Sequence, residues 1–498
     1  MLFGVGESAE SKNLTKSILI RNHQHAAQVM GRRQTALGWG NNNMKKSFKQ
    51  LRLHYPVFEY ASYEWKINHK TGEVLVSFVF HILDDNKKIF QTFKPTSTFQ
   101  LSNHLQKEIN LKWLDILVFS IGMVEMISYW KCTCSPIIKV TSGALSCEQE
   151  TWWKKLYFFG LQEFLYLNNI SILQEELFTF DVSSKDTPSF NIPIKNTSGN
   201  IIPIGGGKDS SVTLNILKDN QENNLCLIIN PREASRTSAK TAGYDKKKLL
   251  IINRKIDKKL LVLNSQGFLN GHTPFSAMLA FYSICAAYLT NNKNIALSNE
   301  SSADEPTIHG SIINHQYSKS LEFENDFREY VSDHISKDIN YFSLLRPLNE
   351  LQITNLFSRT PQYFNQFKSC NVGSKSDIWC CSCPKCLFVY IMLGSFISPS
   401  VLQNIFGENL LQKSELTEYF DQLIGDRQTK PFECVGTVQE IRASISETIG
   451  KWYKGKPLPL LFQNFKITDS DQKKYLELLK EKGNMENIPK DLLAVLGF

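Results

Sequence analysis

Ile201-Ile202-Pro203-Ile204-Gly205-Gly206-Gly207-Lys208-Asp209-Ser210-Ser211 decides the fold of this 498-residue chain. An apolar run ends in three glycines, and a lysine, an acid and two serines follow. Val212-Thr213-Leu214-Asn215-Ile216-Leu217 then has the spacing of an amphipathic helix. The order is strand, tight loop, helix N-terminus. Glycines let a ligand approach the backbone closely, and the first turn of a helix offers unpaired N–H groups to an anion. The expected guest is a phosphate or pyrophosphate. The plainer reading is a Gly-rich turn, since Gly, Asp and Ser are ordinary turn residues.

Spacing separates the known phosphate loops. A Walker loop needs a glycine where Ile202 stands and a Ser or Thr directly after the lysine, where Asp209 stands. The dinucleotide fingerprint fits Gly205 and Gly207 but finds Ser210 in its third glycine position, with no acid well placed after the next strand. What remains resembles the loop of the ATP-pyrophosphatase (PP-loop) superfamily, Ser-Gly-Gly-x-Asp-Ser. Gly206, Gly207, Asp209 and Ser210 match it, and Gly205 replaces the first serine. The resemblance implies that Gly205, Gly206, Gly207, Lys208, Asp209 and Ser210 bind ATP, with Asp209 carrying Mg2+.

Working outward, Leu225–Ile229, Leu249–Ile252, Leu260–Leu263, Ile295–Leu297 and Ser343–Leu345 read as strands. Helical stretches at Pro274–Leu289, at Ser318–Ile335 and from Asn349 alternate with them. That alternation predicts an α/β fold, a parallel sheet with helices on both faces, with ligands beyond the carboxyl ends of the strands. Upstream, Phe58–Ile67, Val74–Ile82 and Lys88–Pro95 read as a β-meander, with helices at 108–131 and Trp152–Leu167. The Pro188–Gly199 segment reads as a linker. The expected organisation is a leader over 1–43, an α+β N-terminal domain over 44–190, a PP-loop (HUP-like) catalytic domain over 198–395 and a helical C-terminal region over 396–498, in which no chemistry is expected. The leader reads as disordered, or as an over-long start with Met44 as the initiator.

Composition narrows the class. Hydrophobic residues make up 42% of the chain and the net charge is +8. No run has the length of a membrane span and no signal-peptide core is present, so a cytoplasmic protein is expected, with no membrane partner. No Arg-rich tract interleaved with aromatics occurs, which argues against nucleic acid and suits an anionic nucleotide.

Five of the eleven cysteines lie between Cys370 and Cys386. Cys370, Cys380, Cys383 and Cys386 have the spacing of a four-thiolate structural zinc knuckle, with Cys381 left over; Cys380 and Cys381 compete for the second position, and a redox thiol pair is the alternative. A related knuckle occurs in PP-loop nitrile synthases of the queuosine pathway. Cys132 and Cys134 read as packing thiols. Glu125, inside an apolar helix, is expected to pair with Lys131 or a backbone group, or to touch substrate. Asn299 and Glu300 follow a strand end and suit a ribose, a metal-bound water or an amino-acid ligand, or a simple turn. Asn314-His315-Gln316-Tyr317-Ser318-Lys319-Ser320 packs many donors before a helix, as an anion or carboxylate site or as a cap. His272 reads as ligand-facing or exposed. Arg346 reads as a carboxylate or phosphate clamp, or as a surface arginine.

Taken together, Pro203–Ser210, Asn299-Glu300, Asn314–Ser320 with Glu322-Phe323-Glu324, Leu344–Leu348, Trp379–Phe388 and Glu125–Pro136 resemble the ATP-dependent UDP-N-acetylmuramoyl-L-alanyl-L-glutamate epimerases of bacterial cell-wall synthesis (MurL-like) over roughly residues 50 to 410. The resemblance implies AMP transfer from ATP to the terminal glutamate carboxylate, release of pyrophosphate, and inversion of the acidified α-carbon. It makes His315, Tyr317, Lys319 and Lys208 the candidate catalytic residues, His315 first because its free pKa lies nearest neutrality. Asn299, Glu300, Asn314, Arg346 and His272 become substrate contacts, and ATP, Mg2+, structural Zn2+ and a UDP-muramoyl dipeptide the expected ligands. Alternatives are a PP-loop enzyme adenylating a nucleobase or tRNA, and a non-catalytic nucleotide-binding regulator.

Overall fold

The computed structural model describes residues 45–185, 187 and 191–496. The expected leader, Met44 and part of the expected linker lie outside them. Eleven strands join into one mixed sheet: β1 (Val57–Asn68), β2 (Glu73–Leu83), β3 (Ile89–Phe93), β4 (Thr96–Gln100), β5 (Ile137–Val140), β6 (Thr179–Val182), β7 (Asn196–Pro203), β8 (Leu225–Ile229), β9 (Leu249–Lys255), β10 (Asn292–Leu297) and β11 (Asn340–Ser343). The order is β11-β10-β7-β8-β9-β4-β2-β1-β5-β6, with β3 beside β2.

The five strands from β7 to β11 pair only in parallel among themselves. Alternation along them sorts the two faces. Leu225, Leu227, Leu250 and Ile252 enter the core that holds the helix Phe275–Thr290. Cys226, Ile228, Leu249 and Ile251 face the core that takes Leu214 and Ala239, from the helices Lys208–Ile216 and Glu233–Thr241. Helices therefore cover both faces, as the alternating pattern predicts. From β7 the chain builds outward one way through β8 and β9, then returns to add β10 and β11 on the other side. The order reverses between β7 and β10, so the crevice for a ligand opens beyond their carboxyl ends.

The sheet runs straight through the expected linker. β4, of the N-terminal half, pairs antiparallel with β9 from Thr96↔Lys255 to Gln100↔Ile251. Glu125 reinforces this seam, but not through Lys131. Its carboxylate accepts from Arg254 Nε (2.5 Å) and Nη2 (2.8 Å) and from the Tyr282 hydroxyl (2.8 Å), linking a helix of the N-terminal half to β9. Lys131 instead donates to Thr273 Oγ1 (2.5 Å) and the His272 carbonyl (3.1 Å).

Some elements differ from the sequence reading. Leu260–Leu263 lies in the helix Lys258–Ser265, because Asp257 caps its first turn through Lys259 N (2.9 Å). Trp152–Leu167 is two helices, Cys147–Gly160 and Gln162–Leu167. β11 stops at Ser343, and Leu344-Leu345 belong to a turn closed by Arg346 N on the Ser343 carbonyl (3.1 Å). No described helix is long and apolar enough to cross a membrane.

Candidate active site

β7 delivers the glycine loop to the reversal point. Gly206 has φ +85°, and a Cβ there would lie 2.7 Å from Ala234 C and Ser235 N, so only glycine fits against that neighbouring helix start. Gly205 has open space around it, so nothing steric excludes a serine there. Gly207 caps the helix Lys208–Ile216 and has no side chain of its own to occupy the first N–H groups. Arg232 Nη2 holds the Gly205 carbonyl (2.7 Å) and Lys368 N holds that of Gly206 (2.9 Å). Beside the loop, at the ends of β7 and β8, is a cavity of about 220 Å³ with apolar walls from Pro203, Ile204 and Ile228 and a polar rim at Asn230 and Arg232. Larger cavities of about 480 and 730 Å³ lie elsewhere and include no loop residue.

Lys208 does not project from the loop. It is 1% exposed and forms ion pairs with Asp209 and Glu350. Burial alone would lower its pKa, but the two carboxylates outweigh that and raise it, so it stays charged. Asp209 is held below the carboxylate range: burial opposes ionisation, while Lys208 and then Lys385 favour it. Burial pushes Glu350 up to about 7 against the pull of Lys208. Glu350 N and Ser302 Oγ both donate to the buried Glu440 (each 2.7 Å). The loop helix is tied to the segment just after β10 by Thr213 Oγ1 and Ser298 Oγ at 2.8 Å.

A second array stands across the crevice. Glu163 Oε2 lies 2.5 Å from His315 Nδ1 and 3.2 Å from His272 Nδ1. His315 lies beside Cys434 and acts on it electrostatically, and Lys319 Nζ is 3.2 Å from Cys434 Sγ. Burial works against a charged His315, but Cys434 and Glu163 outweigh it and raise its pKa to about 10. Burial and the charge of His315 take His272 down to about 3, so that ring is neutral. Burial would raise the Cys434 thiol, yet Lys319 and His315 bring it down to about 6. Lys385 Nζ donates to the Cys434 carbonyl. Lys319 and Lys385 also act on Asp209 electrostatically, so they join the two arrays.

The remaining expected residues hold the frame. Arg346 is buried, donating to the carbonyls of Glu300 (2.7 Å) and Lys319 (2.6 Å) and to Glu324 (3.0 Å). That places it as a brace behind Glu300 and Lys319. Tyr317 is core, its ring stacked on Phe159 at 5.3 Å. Asn314 shapes its own loop through Ala303 O (2.9 Å) and Gln316 N (2.7 Å), and Asn299 reaches Ser343 Oγ (3.1 Å). Glu300 is buried beside Lys319 and Glu350. Glu163, Lys385 and Cys434 are not among the residues that the sequence singles out, and Cys434 comes from the C-terminal region, where no chemistry is expected. No local spacing marks these residues.

Cys370, Cys380, Cys383 and Cys386 converge, with Sγ separations of 3.8 Å (370–383), 3.7 Å (380–386) and 3.5 Å (383–386). A tetrahedron of sulfurs about 2.3 Å from a zinc ion has edges of about 3.8 Å, so the donor set fits that metal. Cys381, at φ +53°, turns away to the Phe406 carbonyl (3.3 Å), which leaves Cys380 as the fourth thiol. The knuckle supports the loop. Asp377 caps the helix Glu233–Thr241 through Glu233 N (2.8 Å) and Ala234 N (3.2 Å), the helix start against which Gly206 packs.

A family model described as the MurL N-terminal domain matches residues 49–344, and one described as the MurL C-terminal domain matches residues 366–466. A protein of Xanthomonas oryzae pv. oryzae named UDP-N-acetyl-alpha-D-muramoyl-L-alanyl-L-glutamate epimerase is 33% identical over 333 residues, 65% of this chain and 72% of its own length. Proteins of the same name from Salinispora tropica and a Micromonospora species are 31% and 30% identical over 409 residues, 80% of this chain and 86% and 88% of theirs. No solved structure matches the chain.

Proposed function

The chain belongs to the MurL epimerase family, and from that membership we propose that it inverts the terminal L-glutamate of UDP-MurNAc-L-Ala-L-Glu to D-glutamate, using ATP to activate the glutamate carboxylate. The observation that carries the reading is the meeting of two arrays at one crevice. A glycine loop with an ionised Asp209 stands on one side and a Cys–His–Glu array on the other, with Lys319 and Lys385 between them.

The chemistry requires both. An α-hydrogen beside an ionised carboxylate is scarcely acidic, because the carbanion would adjoin a negative charge. Transfer of AMP to that carboxylate removes the charge and releases pyrophosphate. The uncapped helix start behind Gly207 and the loop N–H groups suit the phosphates. The cavity at Pro203, Ile204 and Ile228 suits a nucleoside. Asp209 would hold Mg2+, and Lys208 keeps that carboxylate ionised rather than touching phosphate itself. Lys319 and Lys385 would receive the acidic end of the substrate. Four thiolates would hold a structural Zn2+ that keeps Asp377 and Lys368 against the loop. Substrates of this kind place the reaction in the cytoplasm.

The test is incubation with Mg-ATP and UDP-MurNAc-L-Ala-L-Glu, following pyrophosphate and the chirality of glutamate released by acid hydrolysis. Pyrophosphate together with D-glutamate is expected. Zinc-loaded, folded protein that yields no D-glutamate rejects the reading.

A further inference from the structure

Inversion at carbon needs a group that accepts the α-hydrogen at neutral pH, and the crevice limits the choice. Tyr317 is stacked in the core. Lys319 is raised in pKa by Cys434 and Glu300 despite its burial, so it is a cation and no base. His315 is a charged ring between Glu163 and Cys434. His272 is a neutral ring whose basicity is nearly abolished. Cys434 remains. It is half-buried, on the segment between the helices Thr417–Leu423 and Val438–Trp452, and it carries the one polarisable side chain of the array.

We propose that Cys434 is the catalytic residue that carries the substrate α-hydrogen, with His315 and Glu163 as the residues that position and charge-balance it; this rests on the epimerase reading above. The geometry is that of an activated thiol: a cation 3.2 Å from the sulfur, an imidazolium beside it, and a carboxylate 2.5 Å from that imidazolium. The groups facing the sulfur are Lys319 and His315, with Lys385 and Glu433 nearby. A thiolate titrating near neutrality matches the requirement for a general base. In the step, the sulfur takes the hydrogen as a proton and an S–H bond forms. The C–H electron pair moves into the adjoining acyl carbonyl as an enolate, next to Lys319. A proton derived from solvent then bonds to the opposite face of the α-carbon, water cleaves the acyl–AMP bond to give carboxylate and AMP, and the S–H proton passes to solvent to restore the thiolate.

The experiment uses the full-length, zinc-loaded protein with Mg-ATP and UDP-MurNAc-L-Ala-L-Glu in D2O, with two readouts. Exchange of labelled pyrophosphate into ATP reports activation, and deuterium at the glutamate α-position reports proton transfer. Wild-type protein without the first signal rejects the ATP reading; it does not reject the thiol. Folded C434A is expected to retain pyrophosphate exchange and to lose α-deuterium incorporation by about 10²–10⁴-fold. α-Deuterium incorporation at the wild-type rate overturns the proposal. So does folded C434A without pyrophosphate exchange, because the thiol then serves activation. Should C434A fail to fold, or wild-type protein fail to activate, alkylation of wild-type Cys434 by iodoacetamide decides. A pH midpoint near 6 is expected, whereas a midpoint near the free-thiol value of about 8.5 overturns the proposal.

Discussion

Lys208 has two carboxylates and almost no water around it, so its removal leaves the buried Glu350 without its ion-pair partner and strips Asp209 of its nearest cation. We expect Lys208→Met to cost about 3–5 kcal/mol of stability in urea unfolding and to abolish pyrophosphate release. Asp209→Asn should abolish release while keeping the fold; normal turnover in either variant removes the loop from the mechanism. His315 gives a pH prediction. Its folded pKa, about 10, lies above the ordinary 6.5, so the stability it contributes is complete below 6.5 and is lost as pH rises through 10. The stability gap between wild type and Glu163→Gln should therefore be widest near pH 6 and shrink towards pH 10; a gap independent of pH contradicts the charged pair. The four thiols were legible because they lie within seventeen positions of one another, whereas the pairing of Lys208 with Glu350, 142 positions away, was not. Cys434 was not, since it meets Lys319 across 115 positions and Glu163 sits in an aromatic helix with no motif around it. Arg346 and Tyr317 carried the right chemistry for a ligand, but burial turned both inward.

The glycine loop and the cysteine knuckle act as one element. Gly206→Ala forces a left-handed backbone, costing about 1–2 kcal/mol, and pushes its Cβ into Ala234 and Ser235. A displacement of this loop should lower pyrophosphate release by at least about 10²-fold. Gly205→Ser, with open space at that position, should retain full activity. Loss of activity in Gly205→Ser, or its retention in Gly206→Ala, contradicts the loop geometry. Removal of zinc, by Cys383→Ser or a chelator, should release Asp377 and Lys368 and lower both thermal stability and pyrophosphate release, with metal analysis falling from one zinc per chain to none. At this scale strands and long helices were readable from period and composition. The short run Leu260–Leu263 was not, because four apolar or β-branched residues suit a strand or a helix equally, and only the Asp257 cap decides.

Across the whole molecule, one sheet makes the N-terminal half and the loop-bearing half a single folding unit. The Glu125–Arg254–Tyr282 cluster crosses that seam, so Glu125→Ala should cost about 3–5 kcal/mol and move one unfolding transition rather than split it in two. The parallel half of the fold could be read from alternating strands and helices. The β4–β9 seam could not, since strand pairing across more than 150 positions leaves no local pattern. Lys319 and Lys385 join the glycine loop to the Cys–His–Glu array, and in the proposed mechanism the loop makes the α-hydrogen acidic for that array. Deuterium incorporation at the glutamate α-carbon, measured in D2O with and without Mg-ATP, tests this most directly. Incorporation is expected only with Mg-ATP, with one pyrophosphate released per inverted glutamate. Incorporation at the same rate without ATP would contradict it.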